Sequence, residues 1–199
     1  MVLSPLPLSD AELRFDPHWL GPVDADGLMK ALQDQVPWSV HRIRIFGREV
    51  DSPRLSCWIG DPLARYRYSG ALFEPHPWPA VLRPLRERLR RELGVDFNSV
   101  LANLYRDGRD AMGWHSDDEP ELGAAPVIAS LSLGATRRFA LKHRRDPERR
   151  LALDLPHGSL LVMSGPTQRH YRHALSRTTR PVGARINLTF RQILRPASG

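Results

Sequence analysis

From Arg185 to Arg191 polar and apolar residues alternate one by one: Arg185, Asn187, Thr189 and Arg191 are polar, and Ile186, Leu188 and Phe190 are apolar. Successive side chains leave a pleated backbone on opposite sides, so this period of two predicts a strand with one packed face and one polar face. The same pattern, basic against apolar, predicts a strand over His41–Phe46 that ends at Gly47. Tyr66-Arg67-Tyr68 reads as a short strand before Ser69-Gly70. From Asn98 onward the chain predicts strands over 98–105, 126–133, 136–143, 151–155, 159–164, 168–175 and 183–192.

A period near 3.6 appears only in the first half. Asp24 to Gln35 is an expected helix with Leu28, Met29 and Leu32 on one side, stopped before Pro37. Pro77 to Leu93 is the clearest helix, with Val81, Leu82, Leu85, Leu89 and Leu93 as its stripe and Gly94 as its stop. Pro84 lies inside that span and either kinks the helix or shifts its start. Arg83, Arg86, Arg90 and Arg91 form the opposite face, expected to be solvated. Arg48 to Pro62, with Pro53, Gly60 and Pro62, is expected to be a loop, and residues 1–22, rich in Pro and Leu, an arm packed on the domain. Strands that follow N-terminal helices suggest a mainly β fold with flanking helices, a double-layered antiparallel barrel. Residues 1–199 are expected to form a single domain: arm 1–22, helices and a lid over 23–97, and a barrel core over 98–194.

Composition narrows the class. At 199 residues, 41% hydrophobic and 26% charged, the chain resembles an ordinary globular protein. No apolar run approaches a membrane span, and no basic stretch followed by an apolar core opens the chain. One cysteine, Cys57, excludes an internal disulfide and a thiolate cluster and fits a reducing cytoplasm. The net charge of +7 points to polyanions, nucleic acid above all, although 27 of the 29 cations are arginine, which genomic base composition alone can produce. Arg137 to Arg150 holds seven of these cations and two acids, a hairpin whose tip faces either solvent or a phosphate backbone.

Chemistry enters with Trp114-His115-Ser116-Asp117-Asp118. On an extended strand His115 and Asp117 point the same way. A distant histidine would complete the two-imidazole, one-carboxylate set of non-heme Fe(II) oxygenases, which leaves coordination positions open. His143, His157, His170 and His173 are candidates for that third place. The polar face of 185–191 brackets an amide and a hydroxyl with two arginines, which suits a small dicarboxylate better than water. Asn103 and Tyr105 repeat the spacing on an earlier strand. Iron ligands beside a carboxylate-binding face imply Fe(II) with 2-oxoglutarate.

Asn103-Leu-Tyr105, His115-Ser-Asp117-Asp118-Glu119, His157-Gly-Ser-Leu-Leu, His173 and Arg185-Ile-Asn187-Leu-Thr189-Phe-Arg191 together resemble the AlkB family of nucleic-acid dealkylating dioxygenases, in particular the homologues that act on double-stranded DNA. The resemblance runs over roughly residues 40 to 194. It implies a jelly-roll (double-stranded β-helix) core with the N-terminal helices packed on one sheet, and it selects His173 as the third ligand, twelve residues before Arg185. It implies that Arg185, helped by Tyr105 and Thr189, pairs with the distal carboxylate of 2-oxoglutarate, and that Arg191 and Asn103 hold the carboxylate next to the metal. Asn187 belongs to the same cosubstrate face, and no catalytic residue beyond the metal ligands is expected. Asp118 falls where the family has a substrate-contacting carboxylate, a sensible partner for the cationic bases 1-methyladenine and 3-methylcytosine. Tyr66 and Tyr68 would add stacking and cation–π attraction to a flipped base. Phe46 matches the finger residue pushed into the gap that such a base leaves.

The chemistry implied is oxidative demethylation of N-alkylated bases in DNA: O₂ and 2-oxoglutarate become succinate and CO₂, and the methyl group leaves as formaldehyde. The partner expected is DNA, duplex before single strand, met by a monomer without a membrane. Two rivals stand beside it, an oxygenase of the same cofactor class acting on RNA or protein, and a nucleic-acid-binding barrel that has lost catalysis.

Overall fold

The computed structural model describes residues 3–45, 48–68 and 71–194, with the backbone alone described at 42–45, 48–49, 66–68 and 71–72. In chain order the elements are β1 (Ser4–Leu6), β2 (Glu12–Asp16), α1 (Pro22–Gln35), β3 (Ser39–Ile45), β4 (Arg48–Gly60), β5 (Tyr66–Tyr68) and β6 (Ala71–Phe73). A 3₁₀ turn, Ala80–Leu82, leads into α2 (Arg83–Leu93). The rest is β7 (Ser99–Tyr105), β8 (Met112–His115), β9 (Ile128–Gly134), β10 (Arg137–His143), β11 (Arg150–Leu155), β12 (Leu160–Ser164), a one-turn α3 (Thr167–His170), β13 (Tyr171–Leu175) and β14 (Arg185–Arg191).

The strands form two main antiparallel sheets, one ordered β1-β2-β12-β9-β14-β7-β4-β3 and the other β11-β10-β13-β8; β5 and β6 pair separately. Alternation decides what lies on each side of the larger sheet. Ile186, Leu188 and Phe190 of β14 pack with Ala129, Leu131 and Leu133 of β9 against Leu28 and Leu32 of α1 and Leu85 and Leu89 of α2. On the other side Trp58, Ile128, Leu161 and Met163 meet Phe139, Leu141, Leu155 and Tyr171 around the smaller sheet. Each fully buried Leu or Phe here contributes about 1.5–3 kcal/mol. This is the expected jelly roll with its helices on one sheet. Gly134 closes β9 at φ +84°, where a Cβ would lie 2.4 Å from the carbonyl oxygen of Ala184.

Five expectations change. The segment 48–62 is not a loop but mostly β4, thirteen residues long. Pro53 is accommodated because the β3–β4 register shifts between Val40 and Arg42, opposite it, while pairing with β7 starts only at Leu55. Inside the arm, β2 pairs with β12, more than 140 residues away. Helix α2 begins at Arg83, with Pro84 in a first turn whose N–H groups have no partner within the helix; Arg86 on its polar face is not simply solvated, since it forks onto Asp61 at 2.8 and 2.9 Å. The strand expected over 168–175 starts at Tyr171, after α3.

Candidate metal centre

Strands β8 and β13 run antiparallel with His115 directly opposite His173. That register brings the two ring centroids to 4.2 Å. Asp117 follows two residues later, just beyond β8. Its backbone N–H donates to Gln168 Oε1 at 2.9 Å, and the neighbouring Ser116 Oγ donates to the carbonyl of Tyr171 at 2.7 Å. One ligand atom each from His115, Asp117 and His173 lies within 4.8 Å of the other two. The expected triad is therefore assembled in space.

Its electrostatics suit a cation. Burial pushes both imidazoles toward the neutral form, His173 down to about 3, and a neutral imidazole has a lone pair to give a metal. His115 Nδ1 lies 2.8 Å from the carbonyl oxygen of Gly113, which assigns the proton to Nδ1 and leaves Nε2 as the donor atom. For Asp117 burial works against ionisation, but Arg191, His173 and His115 outweigh it and hold the carboxyl below its usual range. The other candidate histidines are engaged elsewhere. His143 Nδ1 accepts backbone N–H groups at the hairpin tip and its ring stacks with that of His170 at 5.7 Å, while His157 Nδ1 accepts the N–H of Gly134.

The polar face of β14 lies across the same pocket, which Asn103, Tyr105, His115, Asp117, His173, Arg185, Asn187, Thr189 and Arg191 line in part. Register puts Arg185 opposite Tyr105 and Asn187 opposite Asn103 on β7, and Asn187 opposite Ser132 on β9. Arg185 is 2% exposed, and burial pushes its guanidinium down to about 10, so it stays charged at neutral pH. Its Nη2 donates to Asn187 Oδ1 at 2.7 Å and Ser132 Oγ at 2.9 Å, both neutral, and Tyr105 lies beside it with its ring centre 5.2 Å away. No acceptor among the described residues meets Nε. Asn187 Nδ2 in turn donates to Thr189 Oγ1 at 2.9 Å, so the amide orders the row. Arg191 Nη2 donates to Asp117 Oδ1 at 2.7 Å.

Five contributors escaped the sequence reading. Arg54 on β4, also buried, donates Nε to Asn103 Oδ1 at 2.8 Å, which turns the Nδ2 amino group into the donor that Asn103 can offer. Ser130 and Ser132 donate to Asn187 Oδ1. Gln168 holds the backbone of Asp117 from α3. Arg144 pairs with Asp118. The polar residues Ser52, Arg54 and Ser56 alternate with Pro53, Leu55 and Cys57, so the signal for Arg54 was present.

Asp118 is half exposed and pairs with Arg144. Tyr66 and Tyr68 stand on β5, with their side chains outside the described residues, and Phe46 lies outside them altogether. The hairpin of β10 and β11 forms as expected, but Arg137 is buried rather than solvated, donating to the carbonyls of Asp107, Asp110 and Ser176.

Two imidazoles and a carboxylate in one cluster, facing a buried arginine row between the sheets of a jelly roll, define an oxygen-activating iron site with a place for a dicarboxylate. The model of the 2OG-Fe(II) oxygenase superfamily matches residues 12–191, and the chain belongs to that superfamily, in its AlkB branch. Fe(II), 2-oxoglutarate and O₂ are the cofactor and cosubstrates of that class, and the donor set fits them. The chain is 39% identical over 186 residues to the human alpha-ketoglutarate-dependent dioxygenase alkB homolog 3, covering 89% of this chain and 64% of that protein. Similarity to the DNA oxidative demethylase ALKBH2 is 39% identity in human and 38% in mouse, over 87% of this chain and 70% and 77% of those proteins. The solved structure of OsALKBH1 shares the fold, with a TM-score of 0.61 at 18% identity, over 90% of this chain and 97% of that one. No helix among the described residues is long and apolar enough to cross a membrane.

Proposed function

We propose that the chain is an Fe(II)- and 2-oxoglutarate-dependent dioxygenase that removes methyl groups from the ring nitrogens of DNA bases, 1-methyladenine and 3-methylcytosine among them. The observation that carries this reading is the His115–Asp117–His173 cluster sharing one pocket with Arg185, a buried guanidinium whose partners are all neutral. The names of the relatives, DNA oxidative demethylases, support DNA as the substrate.

In this reading His115 Nε2, a ring nitrogen of His173 and an oxygen of Asp117 would hold Fe(II). When bound, Fe(II) with 2-oxoglutarate and O₂ supplies the oxidation that hydroxylates the N-methyl group, with succinate and CO₂ as by-products. Arg185 pairs with the distal carboxylate of the cosubstrate, with Tyr105 and Thr189 beside it and Asn187 fixing its angle. Asn103, turned by Arg54, and Arg191 serve the carboxylate nearer the metal. Asp118 favours a cationic methylated base over a neutral one, and Tyr66 and Tyr68 flank it. The N-hydroxymethyl base then breaks its C–N bond and releases formaldehyde. The electron pair stays on the ring nitrogen, which neutralises the ring, and the hydroxyl proton passes to water.

The protein acts as a monomer in a reducing cytoplasm and takes duplex DNA before single strands, with Phe46 filling the gap left by the flipped base. The test is formaldehyde and succinate release from methylated single- and double-stranded oligonucleotides supplied with Fe(II) and 2-oxoglutarate, at one salt concentration because salt alone moves affinity steeply. Equal yields of the two products support the reading, and no formaldehyde from any methylated strand sinks it. Phe46→Ala should cost duplex activity far more than single-strand activity; an equal loss removes the duplex preference.

A further inference from the structure

Between the metal-bearing segment and the basic hairpin sits one side chain that touches both. Arg144, the first residue past β10, donates Nη2 to Asp118, to Ser116 Oγ at 2.8 Å and to the carbonyl of Gln168 at 3.5 Å. Asp118 is the residue next to the ligand Asp117, and it is half exposed. Its carboxylate is therefore already neutralised by a guanidinium, and a cationic base would have to compete for it.

Arg144 also belongs to a groove on the outer face of the smaller sheet, lined by Arg138, Lys142, Arg150, Arg172 and Trp114. No acidic side chain among the described residues lines that groove. Lys142 Nζ lies 4.2 Å from the centre of the Trp114 ring, which is 43% exposed. Such a surface draws a polyanion. The Nε and Nη1 of Arg144 make none of the three bonds above, so they remain as donors for a phosphate oxygen.

We propose that Arg144 is a specificity-determining residue that couples backbone binding to base recognition: it covers Asp118 until a nucleic-acid phosphate in the groove takes its guanidinium, and only then does Asp118 meet the cationic base. The inference rests on the proposed reading of Asp118 as the carboxylate that meets the base. A nucleotide too short to reach the groove leaves Asp118 covered and is discriminated weakly. A longer strand uncovers it.

The test measures binding, not turnover, with the full chain loaded with Fe(II) and 2-oxoglutarate under anaerobic conditions. Affinities are taken for a trinucleotide with a central 3-methylcytosine, for a longer single strand of the same central sequence, and for their unmethylated counterparts. Wild type should prefer the methylated form more strongly in the long strand. Arg144→Gln should raise the preference on the trinucleotide about two- to fivefold, the range that an exposed ion pair is worth, and should weaken long-strand binding. In Asp118→Asn the length dependence of the methyl preference should vanish, and adding Arg144→Gln should leave that preference unchanged at both lengths. Arg144→Lys keeps the charge and should preserve the wild-type pattern, which separates loss of the pair from loss of the fold. An unchanged or lower trinucleotide preference in Arg144→Gln, or a length dependence that survives Asp118→Asn, overturns the proposal alone. A wild type that does not distinguish methylated from unmethylated strands at either length overturns the base reading, and this inference with it.

Discussion

Arg191 donates Nη2 to Oδ1 of Asp117 at 2.7 Å, so the last residue of β14 and the carboxylate just past β8 share one buried ion pair between the two sheets. The pair ties the cosubstrate face to the metal centre before anything binds. It also means that Asp117 has a structural duty besides its place in the triad.

Removing that carboxylate therefore has two separable effects. Asp117→Ala removes one partner of a buried ion pair, a change that costs about 3–5 kcal/mol of stability. Asp117→Asn keeps the volume and one acceptor oxygen and should cost less, while losing the anionic ligand. Both variants should fail to release formaldehyde, with Asn melting above Ala in parallel thermal scans. Full activity in Asp117→Asn would remove Asp117 from the metal set.

Arg54 offers the next test, since its Nε bond fixes the amide of Asn103. Arg54→Met keeps most of the apolar stem and removes the donor. Asn103 is then free to turn its carbonyl toward the cosubstrate, and 2-oxoglutarate affinity should fall by about 1–3 kcal/mol, the usual loss when a buried polar group is left unpaired. Calorimetric titration of both proteins decides it. Unchanged affinity would make Arg54 a packing residue.

Arg54 also shows where sequence reading stops. Strand β14 was legible because its alternation is uninterrupted and both of its faces are used, one by the helices and one by the site. Strand β4 carries the same alternation, but Pro53 interrupts it, and a proline speaks against a central strand unless a register shift elsewhere absorbs it. That shift depends on β3 and is a property of the pairing, not of the local residues. Strand β2 owes its place to β12, far along the chain, in the same way. His115, Asp117 and the arginine row could be read from spacing, whereas Gln168 and Arg144 reach the site from other elements with no shared periodicity. Choosing His173 over the other histidines required the family pattern, and the structure supplies a physical reason: cross-strand register with His115.

Cys57 gives a probe of the helix-facing side of β4. It is 1% exposed, and burial pushes its thiol up to about 12 from an ordinary value of 9.0. A folded-state value above the unfolded one adds stability that is complete below pH 9.0 and is lost as pH rises from there toward about 12. Native protein at neutral pH should resist iodoacetamide and react fully once unfolded in denaturant. Rapid alkylation of the folded protein would show that β4 opens locally.

Arg185 gives the sharpest separation between a residue kept for structure and one kept for a ligand. A buried guanidinium is costly to desolvate, and its partners Ser132 and Asn187 are neutral, with no acceptor among the described residues for Nε. Its charge is thus poorly compensated until an anion arrives. Arg185→Met fills similar space without charge, and exchanging buried charge for apolar volume is often neutral or stabilising by about 1–4 kcal/mol. The unliganded variant should melt at or above the wild-type temperature. In contrast, its 2-oxoglutarate affinity should fall by about 2–5 kcal/mol, because a buried carboxylate loses its charged partner. With a redox-inert divalent metal already bound to both proteins, adding 2-oxoglutarate at a concentration that saturates wild type should then raise the melting temperature of wild type but not of the variant. A purely structural Arg185 predicts the reverse on both counts: a lower melting temperature without ligand, and an unchanged rise with it.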